Sequence, residues 1–274
     1  MIPAPFDYVR ADNADAALAA LSEHGDEAKL LAGGQSLLPL MKLRLAMPAV
    51  VVDVSRAGDL RYVRRDGDTL AIGALTRHGD VAADETVRRE LPMLAHVAGL
   101  VGDPQIRHRG TIGGSVAHAD PSADLPTALL ALGASYVVRG PGGERTVAAD
   151  GFATAFLETV LESGELLTEV RVPLGVDGWG YQKFTRRAID WATVAVAAVR
   201  RDGATSVALA NMAPTVVRAG GVEAALADGA APGDAAARAD EGTQPSNDVT
   251  ASSDYRRHLA RVLTERALTA AASG

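Results

Sequence analysis

RGTIGGSVAHADPSADLP, residues 109–126, is the stretch on which the reading turns. Two adjacent glycines, Gly113 and Gly114, are flanked by the hydroxyls of Thr111 and Ser115. His118, Asp120 and Asp124 follow within ten residues. Three chemistries compete for such a run: a metal site, a nucleophile's turn, or a cradle for phosphate. The H-x-D-x3-D spacing matches no common closed metal site, and Asp120 before Pro121 reads more simply as a turn. Ser115 lies in GGSVA rather than G-x-S-x-G, and no base is placed for it. Neither a metal ligand set nor a catalytic residue is assigned. The phosphate reading fits better, because consecutive glycines let main-chain N–H groups point into one concavity.

A second stretch strengthens it. AGGQS, residues 32–36, again sets a glycine pair and a hydroxyl after an apolar extended segment, KLL. Two such loops suit a diphosphate, one phosphate or one face to each. Neither is followed by GK[ST], and neither is GxGxxG, which disfavours a P-loop or a nicotinamide Rossmann site.

The remaining chain supplies a mixed α and β pattern. Asn13 is placed to cap a helix that stops at Gly25. AVVVDV (49–54), TLAIGAL (69–75) and LLTEVRVP (166–173) read as strands. Ser36 is placed to cap a short segment. A helix is expected from Thr86 through RRELPMLAHVAGLVG, disturbed at Pro92. Pro126 suits the first turn of a helix ended by Gly133. SYVVRG and RTVAA flank a glycine-rich hairpin turn at 140–143. Beyond Gly175–Gly178, GYQKFTRR, WATVAVAAVR and TSVALANM predict a three-stranded antiparallel meander. Residues 219–252 give only weak periodicity, and 252–271 predict an amphipathic helix.

Bulk composition narrows the class. The chain has 274 residues, 47% hydrophobic and 22% charged, enough for a sizeable core. A net charge of −7 argues against nucleic acid or an anionic membrane as partner. With no apolar run of signal-peptide or bilayer length, the reading is a cytoplasmic protein without membrane insertion. There are no cysteines, which excludes disulfides, thiolate zinc and any iron–sulfur cluster held by cysteine on this chain.

At these residues the sequence resembles a known family. LLAGGQSLLPLMKLRLAMP (30–48) and GDPQIRHRGTIGGSVAHADPSADLP (102–126) look like the paired signatures of the FAD-binding medium subunits of molybdenum hydroxylases, the carbon monoxide dehydrogenase and xanthine dehydrogenase group. IGALTRH (72–78), GELLTEVRVP (164–173), K-F-x-x-R (183–187) and DYRRHLARVLTERAL (254–268) continue it in order, over nearly the whole chain.

The resemblance implies an α+β chain in two parts. Residues 1–176 would form a two-lobed FAD-binding domain of the vanillyl-alcohol-oxidase (PCMH) type, with lobes about 1–55 and 56–176. Residues 177–274 would form the flavoprotein C-terminal domain, a three-stranded antiparallel sheet with helices. It implies that Ala32, Gly33, Gly34, Gln35, Ser36 and Leu37, with Thr111, Ile112, Gly113, Gly114 and Ser115, hold the FAD pyrophosphate. Asp124 would accept hydrogen bonds from sugar or ribityl hydroxyls. Leu167 and Lys183 would lie near the flavin ring. The implied partners are a small 2Fe–2S subunit and a large molybdopterin subunit, in a dimer of heterotrimers, with an external electron acceptor. The absence of cysteine fits that division and opposes the subgroup whose medium subunit carries its own cluster. Two rivals stand beside this reading: a free-standing FAD oxidoreductase and a non-redox nucleotide-binding module.

Overall fold

The computed structural model describes residues 2–273. The chain starts with a small parallel sheet in which strand Val50–Asp53 lies between Asp7–Arg10 and Ala28–Leu31. The crossover between the parallel neighbours Ala28–Leu31 and Val50–Asp53 holds the short helix Leu37–Lys42, while the two outer strands are connected by helix Ala14–His24. Asn13 caps that helix as expected, its Oδ1 accepting from the Ala16 amide at 2.8 Å, and Gly25 ends it at φ 53°. Ala14, Ala17, Ala20 and Leu21 bury against Val50 and Val52. Strands Ala28–Leu31 and Val50–Asp53 end side by side, opening on residues 32 and 55.

A five-stranded sheet follows. Its order is Val63–Asp66, Thr69–Gly73, Leu166–Pro173, Ser135–Gly140 and Gly143–Ala148, all antiparallel. The hairpin at 140–143 forms where the glycines predict it, Gly140 pairing with Gly143. Pro92 does more than disturb one helix. It starts a second, Pro92–Leu100, after Glu85–Glu90, because proline at a first turn costs no hydrogen bond. Asp84 caps the earlier one through the amides of Thr86 and Val87. A helix at Pro104–Arg109, capped by Asp103, was not expected from the sequence.

The third sheet has four strands, not three: Gly178–Phe184, Val194–Arg201, Ala204–Ala210 and the two-residue Val217–Arg218. The last is too short to carry a periodic signal. Helices Gly220–Ala227 and Pro232–Ala236 occupy the weakly patterned stretch, and Ser253–Ser273 forms the long C-terminal helix.

Strand Val194–Arg201 is buried on both faces, which explains its unbroken apolar run. Val194, Val196 and Ala198 join a core with Leu259, Leu263 and Ala267 of the C-terminal helix. Ala195, Ala197 and Val199 face the other way, into a core shared with Leu125, Ala128 and Leu129 of helix Asp124–Ala131. Period-two alternation therefore divides one strand between two cores. The alanines on the second face let the helix approach closely.

Strand Gly178–Phe184 is two-sided in the same way. A Cβ on Gly178 or Gly180 would overlap the carbonyl oxygens of Ala271 and Ala267, so the even face lies flat against the C-terminal helix. The odd face carries Trp179, Tyr181 and Lys183 towards the first half of the chain. Trp179 packs on His96, with ring centroids 5.5 Å apart.

Candidate functional site

The two glycine loops meet. A Cβ on Gly33 would fall onto the main-chain carbonyl of Arg109 and within 2.8 Å of the Gly110 Cα. Gly33 is therefore required for the first loop to lie against the second. Gly34 sits at φ 74°, a region that favours glycine. The second loop is tied along residues 74–78: Gly113 N–H donates to Ala74 O at 2.8 Å and Ile112 N–H to Thr76 O at 3.0 Å. A Cβ on Gly113 would press on Ala74 and on Leu167, 2.8 Å from its Cδ2. Leu167 thus packs directly beneath the second loop.

The loops differ in what they offer. Gly113 and Gly114 do not lie in an extended turn, as the sequence suggested, but in the first turn of helix Ile112–His118. Thr111 caps that helix, its Oγ1 accepting from Gly114 N–H at 3.2 Å, and Ser115 N–H donates to Thr111 O. All four amides from 112 to 115 are consumed. In the first loop the amides of Gly33, Gly34, Gln35, Ser36 and Leu37 donate to no group among the described residues. Ser36 does not cap the following helix with its side chain. The Gln35 side-chain Nε2 donates back to Gly33 O at 3.0 Å. Five consecutive free N–H groups are the donor set an anion asks for. The second loop contributes close packing and the Ser115 hydroxyl instead.

A cleft of about 180 Å³ opens at this junction. Ala32, Ser55, Leu75 and Thr111 line it together with four arginines, Arg56, Arg61, Arg77 and Arg109. It lies where strands Ala28–Leu31 and Val50–Asp53 end, the place ligands occupy in open parallel sheets. These arginines are scattered over 54 positions of sequence, so only the fold reveals them as a set. Asp53, at the end of its strand, accepts from the Tyr8 hydroxyl at 2.6 Å and the Ser55 amide at 2.8 Å. Burial pushes the Asp53 carboxyl up, but those bonds and Arg109 together hold it below the usual range.

Asp124 and Lys183 form a second group with a residue not singled out from sequence. Asp124 Oδ1 accepts from the Tyr181 hydroxyl at 2.6 Å, and Oδ2 from Lys183 Nζ at 2.8 Å. All three side chains are buried or nearly so, Asp124 and Lys183 at 5% and 10% side-chain exposure. Burial pushes the Asp124 carboxyl above the usual carboxylate range, and Lys183 and Tyr181 offset only part of that rise. Burial also drives the Tyr181 phenol well above its ordinary value, so it acts as a neutral donor. A carboxylate has about four lone-pair sites, so two remain for hydroxyls of a ligand. The signal for Tyr181 was its i, i+2 spacing from Lys183 on one strand face, which needed Asp124 opposite to gain meaning.

Glycine cradle, free amides, arginine-lined cleft and a buried carboxylate together fit a dinucleotide carrying a diphosphate and sugar hydroxyls. The fold and site define a dinucleotide-binding protein. Residues 4–175 match the family described as the FAD binding domain in molybdopterin dehydrogenase. Residues 179–271 match the CO dehydrogenase flavoprotein C-terminal domain. The chain is 41% identical to the carbon monoxide dehydrogenase medium chain of Hydrogenophaga pseudoflava, over 99% of this chain and 98% of that one. It is 37% identical to the 6-hydroxypseudooxynicotine dehydrogenase complex subunit alpha of Paenarthrobacter nicotinovorans, over 98% and 95%. The solved carbon monoxide dehydrogenase from Hydrogenophaga pseudoflava superposes with a TM-score of 0.95 at 42% identity, covering 100% of this chain and 99% of that chain. Quinoline 2-oxidoreductase from Pseudomonas putida 86 superposes at 0.91 with 32% identity, over 100% and 99%. The chain belongs to the family of FAD-binding medium subunits of molybdenum hydroxylases, and is an oxidoreductase subunit. Among the described residues, no helix is long and apolar enough to cross a membrane.

Proposed function

We propose that this chain is the electron-transfer flavoprotein of a hydroxylase complex in the cytoplasm. Substrate is oxidised at molybdenum on a large partner, and electrons cross the 2Fe–2S clusters of a small partner. They leave through FAD on this chain to an external acceptor. Two copies of such a heterotrimer make the complex. Residues 1–176 serve as the cofactor domain and 177–274 as the C-terminal domain that closes over it.

The observation that carries this reading is the row of five unpartnered amides, Gly33 to Leu37, in a loop whose Gly33 packs against Arg109 and Gly110 at the start of the second. Bound FAD supplies the redox chemistry, and the protein's share is binding, orientation and exclusion of water. The amides of residues 33–37 and the Ser36 and Ser115 hydroxyls donate to the diphosphate. Ala32, Gly33, Gly34, Thr111, Ile112, Gly113 and Gly114 give the loops their close approach. The free lone pairs of Asp124 accept from sugar or ribityl hydroxyls, with Lys183 and Tyr181 fixing the orientation of the carboxyl. Leu167, held under Gly113, presents an apolar surface near the ring. The site needs no nucleophile or acid–base pair, because the chain moves electrons and not substrate groups.

The test is a visible absorption spectrum of the full chain after loading with FAD and removing excess, followed by copurification. Flavin bands at about one per chain, and recovery of partners containing iron–sulfur and molybdenum, are the expected results. A chain that holds no FAD, alone or with its partners, overturns the proposal. FAD retention without any such partner leaves a free-standing flavoenzyme instead.

A further inference from the structure

Two consecutive main-chain carbonyls, those of Ala192 and Thr193, are each held by a side chain from a distant part of the chain. Asn211 Nδ2 donates to Ala192 O at 2.9 Å, and the Arg256 guanidinium donates to Thr193 O. Both holders are costly to keep. Asn211 sits at φ 61°, in the left-handed region that non-glycine residues seldom occupy. Arg256 is 1% exposed; Asp248 Oδ2 accepts from it at 2.7 Å, but its Nε has no partner among the described residues. Backbone strain and buried groups that are only partly satisfied persist where the surroundings impose one geometry, and they gather at functional sites.

The geometry imposed here is the frame around Asp124 and Lys183. Ala192 and Thr193 form the return end of the hairpin loop 185–193, which follows Lys183 and Phe184. The loop is closed where Thr193 N–H donates to Phe184 O at 2.8 Å. On its other side Asn211 N–H donates to Pro121 O at 2.7 Å, in the turn that leads into Asp124. Asn211 thus clasps the segment after Lys183 to the segment before Asp124, and the side chains of those two residues meet in an ion pair of 2.8 Å. A ligand-binding group has to be held within roughly 0.5 Å of its productive place by the groups behind it.

We propose that Asn211, backed by Arg256, is a positioning residue of the cofactor site, acting on the ligand through Asp124 and Lys183. The inference rests on the FAD reading above and adds two residues that lie outside both glycine loops and the arginine-lined cleft.

FAD affinity is measured on the full chain, or on its assembled complex if only that retains FAD. Asn211→Gly keeps the left-handed φ and the main-chain bond to Pro121, and removes only the link to Ala192. Asn211→Asp tolerates the same φ but brings a carboxylate that cannot donate. Both are compared with Arg256→Lys, with Asp124→Asn and with the Asn211→Gly/Asp124→Asn double variant, and thermal melts confirm folding. The two Asn211 variants alike weaken FAD binding by about three- to tenfold, and Arg256→Lys moves it in the same direction. In the Asp124→Asn background, Asn211→Gly costs no further affinity while still lowering the thermal midpoint, because the clasp then has no carboxylate to place. A merely structural clasp would weaken FAD by the same factor in both backgrounds. That result, or folded Asn211 variants that bind FAD as the parent does, overturns the inference and leaves the FAD reading intact. A parent chain that holds no FAD, alone or in its complex, removes both, so the two failures are distinguishable.

Discussion

The Tyr181 hydroxyl lies 2.6 Å from Asp124 Oδ1 and joins two parts of the chain 57 residues apart. Lys183 reaches the other carboxylate oxygen from the same strand face. Removing the hydroxyl in Tyr181→Phe leaves Lys183 in place and costs about 1–3 kcal/mol. Lys183→Met strands a buried carboxylate without its cation, which costs about 3–5 kcal/mol. Urea unfolding of both single variants and the double variant measures this. Equal losses, or strictly additive ones, would show that the three groups do not act as a unit.

Gly33→Ala places a methyl on the Arg109 carbonyl and must push the two loops apart. The expected outcome is a chain that folds with reduced stability and retains little FAD. Gly142→Ala is the control, since nothing lies within 4 Å of its new Cβ. Flavin-to-protein absorbance ratios read the result. Equal FAD content in the two variants would mean that the loops need not touch.

His78 predicts a pH dependence of folding. Burial, aided by Arg107, holds its imidazole down to about 4 from an ordinary 6.5, and Nδ1 has no partner among the described residues. The unfolded chain takes up this proton below about pH 6.5, while the folded chain does so only below about 4. Stability is therefore lost as pH falls across that window, by about 3 kcal/mol from this group. Burial also lowers His96 and His118, which act in the same direction. His78→Leu should flatten the profile between pH 7 and 4.5 in part. Parallel profiles for variant and parent would exclude His78 as the source.

Gly180→Ala tests the seat of the C-terminal helix. Its methyl would overlap the Ala267 carbonyl, so helix or strand must shift, at about 1–3 kcal/mol. A thermal midpoint unchanged from the parent would mean that the helix can lift off without loss.

Much of this fold can be read in the chain because local signals agree with the final packing. Asn13 and Gly25 bracket their helix, and the strands at 50–53, 69–73 and 166–173 carry β-branched or apolar runs in short windows. Local signals misled at Gly113–Gly114. Two glycines oppose a helix by propensity, yet the Thr111 cap and the fit against Ala74 and Leu167 fold them into one. The strand at 217–218 was too short to see, and Asp103 with Pro104 marked a helix start that the loop reading obscured. At the site, the glycine pairs stood out through their spacing, whereas Asp124 and Lys183 entered through the family resemblance. Tyr181 and the arginines did not, since each acquires a role only from a neighbour distant in sequence.

Strand Val194–Arg201 serves two cores at once, and this bears on how such a chain can be inherited in pieces. The family signatures change between residues 175 and 179, but the helix Asp124–Ala131 and the alanine face of that strand bury each other. A cut at the signature boundary would expose both surfaces and leave Asp124 without its cation. A hybrid built by exchanging C-terminal halves between relatives would need the matching helix from the same parent, because the unit that must travel together is defined by contact and not by the order of residues.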